Sequence, residues 1–175
     1  MDQPSSLSYP ASPHDARRAA ARPYNAIGEL LSDEDIILDL DADDKNQAFN
    51  AVADLLGRSH GLDAEQVRAG LTERDALGST GLGRGVAIPH ARVKGLQRAV
   101  AVFARFGTPI AFDAPDRKPV SDMFILLVPE RATDEHLKVL ALVAEMFCDT
   151  CFRETLRSLA DPRDVYLLFA TWRPS

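Results

Sequence analysis

Residues 78–90, GSTGLGRGVAIPH, decide how this chain folds. Glycines at positions 78, 81, 83 and 85 lead into an apolar run that ends in Pro89 and His90. Because glycine adopts positive φ without strain, the segment is predicted to be a tight, open loop that enters a strand. Pro89 cannot donate to a strand ladder, so it is expected at the strand end. This places His90 at the mouth of a sheet, beside a loop.

The glycine-rich segment lacks two features of a nucleotide-binding loop. It has no GK[ST] ending, and it leads into a strand rather than a helix. No helix N-terminus would therefore face a bound phosphate. Its backbone N–H groups can still form a small anion-binding concavity.

The flanking sequence alternates between strand and helix patterns. Apolar runs predict strands at 35–40 (with Ile36, Leu38 and Leu40 on one face), 85–90, 99–106 and 122–130, with APDRK as a turn inside a hairpin. Helices are predicted to begin after capping residues at Asp43 or Asp44, Asp63, Thr133 and Asp161, and a further helix is predicted around Phe152 and Leu156. The helix after Thr133 is expected to bury one stripe of side chains, which consists of Leu137, Leu140, Ala141, Ala144 and Phe147. Together they predict an α/β fold, a three-layer sandwich with a mixed central sheet and helices on both faces.

Length and composition indicate one globular domain with a tail. The chain has 175 residues, of which 46% are hydrophobic. Residues 1–25, rich in Pro, Ser and Ala, are predicted to be a flexible tail, and residues 26–175 the domain. No run of apolar residues is long enough to insert into a membrane, and no signal peptide is evident. Two cysteines are also consistent with a reducing compartment, so a cytoplasmic location is expected. A net charge of −6 argues against a nucleic-acid partner.

Three polar side chains are predicted to meet at one sheet edge. His90 and His136 both follow strand ends, and Arg74 ends the helix before the glycine loop. A neutral imidazole is nucleophilic at physiological pH, so His90 can attack a phosphoryl group without a metal ion. Its other ring nitrogen is expected to donate to a backbone carbonyl, which would fix the tautomer.

The segments TERDALGSTGLGRGVAIPHARV and TPIAFDAPDRKPVSDMFILLVPERATDEHLKVLALVAEMF resemble the enzyme IIA proteins of the phosphoenolpyruvate-dependent phosphotransferase system. Within these, the chain resembles the fructose/mannitol type, and especially its nitrogen-regulatory branch. The resemblance covers about residues 30–170 and leaves the Ala/Arg/Pro tail unexplained.

The resemblance implies a role for each of these side chains. His90 is the acceptor of a phosphoryl group from a histidine phosphocarrier protein, which gives a covalent phosphohistidine intermediate. His136 is the second active-site histidine, and Arg74 stabilises the phosphoryl group. Ser79 or Thr80 is expected to supply a further donor. The implied function is a bacterial phosphoryl-carrier protein that regulates other proteins, with no cofactor and no metal.

Other functions remain open at this point. The same fold serves sugar-specific enzymes IIA, which pass phosphate to a IIB domain of a transporter. A binding module without chemistry and a metal site formed by two histidines are alternatives from other classes. CDTC (148–151) has the spacing of a redox or zinc pair but is interpreted as structural, because no second pair of ligands accompanies it. The sequence does not name the regulated targets.

Overall fold

A computed structural model describes residues 24–131 and 133–174. The strands are β1 (Ile36–Leu40), β2 (Gly81–Gly83), β3 (Val86–Ala87), β4 (His90–Val93), β5 (Val100–Ile110) and β6 (Val120–Pro129). The helices are α1 (Lys45–His60), α2 (Ala64–Ala76), α3 (Glu135–Cys148), α4 (Thr150–Ser158) and α5 (Pro162–Thr171), with short 3-10 helices at Ala26–Glu29 and Asp33–Asp35. The predicted tail falls almost entirely outside the described residues.

The sheet is mixed and is organised around β6. Its strand order is β1-β5-β6-β3-β2, and β4 also pairs with β6. The hairpin partners β5 and β6 are antiparallel, whereas β1 is parallel to β5. Both β3 and β4 run parallel to β6 and follow each other along it. The predicted hairpin and the mixed sheet are thus confirmed.

Each face of the sheet is covered by helices. On one face, α1 and α2 bury side chains such as Phe49, Leu56 and Leu71 against the strands. On the other face, α3, α4 and α5 form a second core that includes Phe147 and Phe169. This arrangement confirms the predicted three-layer α/β sandwich.

Local capping explains where most helices begin and end. The side chains of Asp44, Asp63 and Asp161 accept backbone hydrogen bonds at the starts of α1, α2 and α5. Gly61 caps the C-terminus of helix α1, and its φ of 65° lies in the left-handed region that favours glycine. The predicted Thr133 cap is wrong, because α3 begins one residue later, after Asp134.

The predicted register of β1 is also wrong. Ile36 and Leu40 were expected on one face, but they belong to different cores. Asp39 adopts a φ of 58°, and the pairing with β5 shifts between Ile37 and Leu40. This irregularity moves the alternation by one residue, so Leu40 faces the opposite layer.

Helix α3 buries only part of the stripe predicted for it. Phe147 is buried as predicted, Leu140 and Ala144 are partly buried against the second core, and Ala141 is exposed. Its buried side chains are Val139, Val143, Met146 and Phe147. Leu137 was expected in the core but is 65% exposed. Both stripes of this helix are apolar, so periodicity alone could not select the buried one.

The N-terminal end of the described chain is anchored to α5. Asn25 donates from its backbone to the carbonyl of Ala170 at 2.8 Å, and its Nδ2 donates to the carbonyl of Phe169 at the same distance. Its Oδ1 caps the first 3-10 helix. Asn25 was assigned to the predicted tail, yet it is held by the domain.

A buried ion pair joins the sheet to α4. Asp122 on β6, which is 3% exposed, accepts a hydrogen bond from Nε of Arg105 at 3.2 Å. The same guanidinium donates to the carbonyls of Leu156 and Leu159, where α4 ends. Arg105 thereby satisfies both the buried carboxylate and the carbonyls at the helix terminus.

Candidate active site

His90 begins β4 beside the middle of β6. The sequence placed it at the end of a single strand 85–90, but Pro89 divides that run into β3 and β4. Pro89 has no N–H to donate, so the first strand ends before it. The carbonyl of Pro89 accepts a hydrogen bond from the N–H of Leu126 at 3.0 Å, so the chain remains paired with β6. The predicted position at a strand end is therefore wrong, and His90 lies along the edge formed by β4.

Hydrogen bonds fix the tautomer of His90. Its Nδ1 lies 3.0 Å from the carbonyl oxygen of Ile88, which can only accept, so Nδ1 carries the proton. Its Nε2 accepts from Nε of Arg74 at 3.3 Å. The lone pair of the imidazole is thus on Nε2, and a carbonyl orients the ring as the sequence analysis expected.

Close packing of α2 on β4 brings Arg74 to His90. A Cβ at Gly70 would lie 3.3 Å from Cβ of Ala91 and from the carbonyl oxygen of Arg92, so glycine permits the approach. Arg74 follows one turn later on the same helix face. Its Nη1 donates to the carbonyl of Gly78 at 2.9 Å, which holds the guanidinium in place.

His136 shares a groove of about 770 Å³ with these two residues. It lies in the first turn of α3, as predicted, and its Nδ1 is 3.2 Å from the carbonyl oxygen of Thr133. The structure therefore brings Arg74, His90 and His136 together around one open groove. Arg92 lines the same groove with Glu73 and Asp134, so both signs of charge surround the histidines.

Ser79 and Thr80 lie in different environments. The Ser79 hydroxyl donates to the carbonyl of Phe112 at 2.6 Å and accepts from the N–H of Gly81 at 3.1 Å. The Thr80 side chain is buried, 8% exposed, and its Oγ1 has no hydrogen-bond partner among the described residues. Thr80 lines a smaller groove of about 380 Å³ together with Arg74 and His90. A buried hydroxyl without a partner is costly, which makes Thr80 unusual.

The glycines of the loop serve different purposes. Gly83 and Gly85 adopt positive φ, 84° and 79°, at the turn between β2 and β3. A Cβ at Gly81 would lie 2.8 Å from Cα of Ala114, so the close packing of β2 on the segment before β6 requires a glycine at this position. The carbonyl of Gly78 accepts a hydrogen bond from Arg74. The glycines thus build a hairpin that supports the site, in addition to leaving it open.

Exposed leucines surround the two grooves. Leu77 is 86% exposed and Leu137 is 65% exposed, and both line the larger groove. Leu82, also exposed, lines the smaller one. Of the large apolar side chains exposed in the described part of the chain, only Tyr24 lies elsewhere. Exposed apolar patches are typical of surfaces that bind a protein, a ligand or a membrane. Sequence analysis missed Leu77, although a leucine directly after a largely polar helix, in ALGST, was a usable signal.

The remaining candidate ligands do not converge on a site. Cys148 and Cys151 are free, exposed thiols at the end of α3 and in the first turn of α4. Across residues 24–131 and 133–174, no group of three or more His, Cys, Asp or Glu side chains is placed to hold a metal ion. Within the same ranges, no helix combines the length and apolar character needed to cross a membrane.

The family model described as "Phosphoenolpyruvate-dependent sugar phosphotransferase system, EIIA 2" matches residues 29–171. The chain belongs to this EIIA family. The membership inferred from the glycine loop and the two histidine segments is thereby confirmed, and the family is one of phosphotransfer proteins.

Similarity to nitrogen-regulatory relatives extends over most of the chain. A nitrogen regulatory protein of Pseudomonas aeruginosa is 35% identical over 141 residues, covering 80% of this chain and 92% of the relative. The crystal structure of nitrogen regulatory protein IIA-Ntr from Neisseria meningitidis superimposes with a TM-score of 0.78 at 44% identity, covering 83% of this chain and 99% of that one. A fructose-specific EIIA component of Haloferax volcanii is 36% identical over 86 residues, or 49% of this chain and 56% of that relative. These findings support a phosphoryl-carrier regulator of the nitrogen-regulatory kind over the sugar-specific alternative.

Proposed function

We propose that Nε2 of His90 accepts a phosphoryl group from a histidine phosphocarrier protein, and that the phosphorylated and free forms of this EIIA protein regulate target proteins. The observation that carries the proposal is the fixed tautomer: Ile88 holds the proton on Nδ1, so the lone pair is on Nε2, where it accepts from Arg74 beside an open groove that His136 also lines.

The transfer requires no proton movement at His90. The Nε2 lone pair forms a bond to phosphorus while the donor's phosphorus–nitrogen bond breaks, and that electron pair returns to the donor imidazole. The His90 ring, still protonated on Nδ1, becomes positively charged. The Ile88 carbonyl 3.0 Å away stabilises this charge. Reversal regenerates the neutral ring, as a carrier needs.

Donors around Nε2 would stabilise the charge on the phosphoryl oxygens. Arg74 already contacts Nε2, so its N–H groups need only a small shift to reach a phosphoryl oxygen. His136 lines the same groove. Of the two hydroxyl candidates, we assign Thr80, because its Oγ1 lacks a partner whereas Ser79 is engaged with Phe112. Donors directed at developing charge supply much of the catalysis of phosphoryl transfer.

The surface around His90 suits protein-to-protein transfer. Leu77, Leu82 and Leu137 give the rim an apolar character, and the grooves are open to solvent. A partner that brings its own phosphohistidine would bury these leucines during the encounter. Phosphocarrier proteins and IIB domains are the partners with which proteins of this system exchange phosphate.

Intact-mass measurement tests the proposal. The protein is incubated with phosphoenolpyruvate, the first enzyme of the system and its histidine phosphocarrier, beside His90→Ala and His136→Ala variants. One acid-labile phosphoryl group is expected on the wild type, a slower gain on His136→Ala, and none on His90→Ala. An unmodified wild type beside a demonstrably active donor, or a modified His90→Ala protein, would overturn it.

A further inference from the structure

Two turns near the candidate active site carry three exposed cations. Arg84 lies in the turn between β2 and β3, and Arg117 and Lys118 lie in the segment that joins β5 to β6. All three side chains are exposed, and we call these three residues the basic corner. The chain as a whole has a net charge of −6, so this cluster of positive side chains differs in sign from the chain that carries it.

One carboxylate joins the two turns. Oδ2 of Asp116 accepts a hydrogen bond from the backbone N–H of Arg84 at 2.8 Å, and Oδ1 accepts from that of Lys118 at 3.1 Å. These hydrogen bonds, first that from Arg84, lower the pKa of the Asp116 carboxyl, and the charge of Lys118 adds to the effect. The N–H of Ser121 also donates to the carbonyl of Gly85 at 2.8 Å. The basic corner is therefore held in one arrangement before any partner binds.

The carboxylates beside the basic corner are already engaged. Asp116 accepts the backbone N–H groups described above, and Asp113 pairs with Nζ of Lys45 at 2.9 Å. Among the residues that the structure describes, the guanidinium groups of Arg84 and Arg117 take part in no hydrogen bond or ion pair. Two positive charges are thus left for a partner.

The backbone conformation at both arginines is one that arginine rarely adopts. Arg84 has a φ of 58° and precedes Gly85 at 79°, a pattern of hairpin turns whose first central position favours Asn, Asp or Gly. Arg117, also at 58°, ends a turn closed by its N–H and the carbonyl of Ala114 at 2.9 Å, a position that favours glycine. Positive φ brings Cβ close to the backbone and is therefore unfavourable for arginine. The folded chain itself does not explain arginine at either position.

A groove of about 510 Å³ lies against the basic corner. Arg117 and Lys118 line it together with the exposed side chains of Pro115 and Pro119. A chain segment that carries carboxylates and some apolar side chains fits this combination of positive charge and apolar surface. Three cations on a chain of net negative charge do not suit a nucleic-acid backbone, which requires many phosphate contacts.

We propose that the basic corner binds an acidic segment of a partner protein. Leu82, which lines the smaller groove together with His90, lies two residues before Arg84 on the same hairpin. A partner held at the basic corner would therefore lie next to the groove that contains His90. The binding does not require phosphorylation, so its test is independent of the proposed function.

Amide chemical shifts of the full-length chain test the binding. The probe is a blocked peptide rich in glutamate and aspartate, added at low ionic strength, and a lysine-rich peptide is the control probe. The acidic peptide is expected to shift the amides of the basic corner and of Gly85, by an amount that falls as salt is added. Arg84→Asn combined with Arg117→Asn should weaken this binding about fivefold or more. Arg98→Asn combined with Arg157→Asn removes the same charge at exposed positions elsewhere and should weaken it far less.

Chemical denaturation of the same variants separates binding from a structural role. Asparagine adopts positive φ more readily than arginine, so Arg84→Asn combined with Arg117→Asn should unfold at the same denaturant concentration as the wild type or at a higher one. Unfolding at a lower concentration would show that the two arginines stabilise the fold, and would overturn the proposal.

Four results of the titrations would also overturn it. Three are an unchanged affinity in the variant of Arg84 and Arg117, an equal loss in the variant of Arg98 and Arg157, and the same amide shifts with the lysine-rich peptide. The fourth is a duplex DNA that shifts these amides at lower concentrations than the acidic peptide does. If the amides of the basic corner moved with protein concentration alone, a second copy of the chain would be the occupant, and the proposed partner would be wrong.

Discussion

Nε of Arg74 lies 3.3 Å from Nε2 of His90, while the other ring nitrogen of that histidine is held by the Ile88 carbonyl. The two contacts orient the ring from opposite sides, and the lone pair on Nε2 becomes available to phosphorus when the Arg74 N–H shifts away from it. Helix α2 supplies the arginine and strand β4 the histidine, and Gly70 lets these elements pack closely.

Arg74→Lys should slow phosphorylation by about 10-fold or more and shorten the lifetime of the phosphorylated form. Lysine keeps the charge but loses the planar set of donors that reaches Nε2 and the Gly78 carbonyl together. Initial rates of phosphorylation and the decay of the phosphorylated protein check this. Equal rates in the variant and the wild type would show that Arg74 is not a donor to the phosphoryl group.

Thr80→Val and Ser79→Ala should have opposite consequences. Thr80→Val removes an unpartnered hydroxyl at nearly constant shape, so the free energy of unfolding should stay equal or rise by about 1 kcal/mol, while transfer slows about 10-fold. Ser79→Ala loses the hydrogen bonds to Phe112 and Gly81, so its free energy of unfolding should fall by about 1 kcal/mol while its rate of phosphoryl transfer stays unchanged. Denaturant unfolding and phosphorylation rates on both variants decide between the two side chains. A slower Ser79→Ala protein with an unaffected Thr80→Val protein would reverse the assignment.

Leu137→Glu should raise the KM for the phosphocarrier about 10-fold and leave the fold unchanged. The side chain is exposed at the rim of the groove, so a charge there costs nothing in the free protein but opposes burial in a complex. Thr155→Glu, on the exposed surface of α4, is the control. If both variants had the wild-type KM, the leucine rim would not be a docking surface.

The site could be predicted only in part from sequence. Strand and helix patterns predicted that His90, Arg74 and His136 meet, and all three line one groove, although His90 begins a strand rather than ending one. The buried face of α3 could not be chosen, since Leu137 and Val139 belong to two equally apolar stripes. Ser79 and Thr80 looked alike because the partner that distinguishes them, Phe112, is 33 residues away in sequence.

Long-range polar pairs were likewise invisible in the sequence. His60 ends α1, and its Nε2 lies 2.6 Å from Oδ1 of the buried Asp35. Asp122 on β6 forms a buried pair with Arg105, 17 residues earlier in the sequence. Such pairs depend on how distant elements meet, which local periodicity does not encode.

Arg105→Met should lower the free energy of unfolding by about 3 kcal/mol, because it leaves the Asp122 carboxylate buried without its partner. It also removes the donors to the Leu156 and Leu159 carbonyls. Chemical denaturation measures the loss. Adding Asp122→Asn should recover part of it, and a double variant less stable than Arg105→Met would contradict the buried-charge explanation.

Asp149 should contribute to acid sensitivity. A hydrogen bond from Nε1 of Trp172, aided by the backbone N–H groups of Phe152 and Cys151, lowers the pKa of this carboxyl below its ordinary value of 3.8. The folded state therefore holds the proton less tightly than the unfolded state. The stabilisation is complete above pH 3.8 and is lost as pH falls through the lower folded pKa. Asp149→Asn should be less stable than the wild type at neutral pH, and the difference should shrink below pH 3.8; a constant difference across this range would contradict the assignment.

The position of the phosphoryl group on the histidine ring tests the account most directly. Protein labelled with ¹⁵N-histidine is phosphorylated, and two-bond ¹H–¹⁵N correlations with phosphorus coupling identify the modified nitrogen. We predict that Nε2 of His90 carries the phosphoryl group while Nδ1 keeps its proton on the Ile88 carbonyl. Phosphorus on Nδ1 of His90, or on a nitrogen of His136, would contradict the central claim.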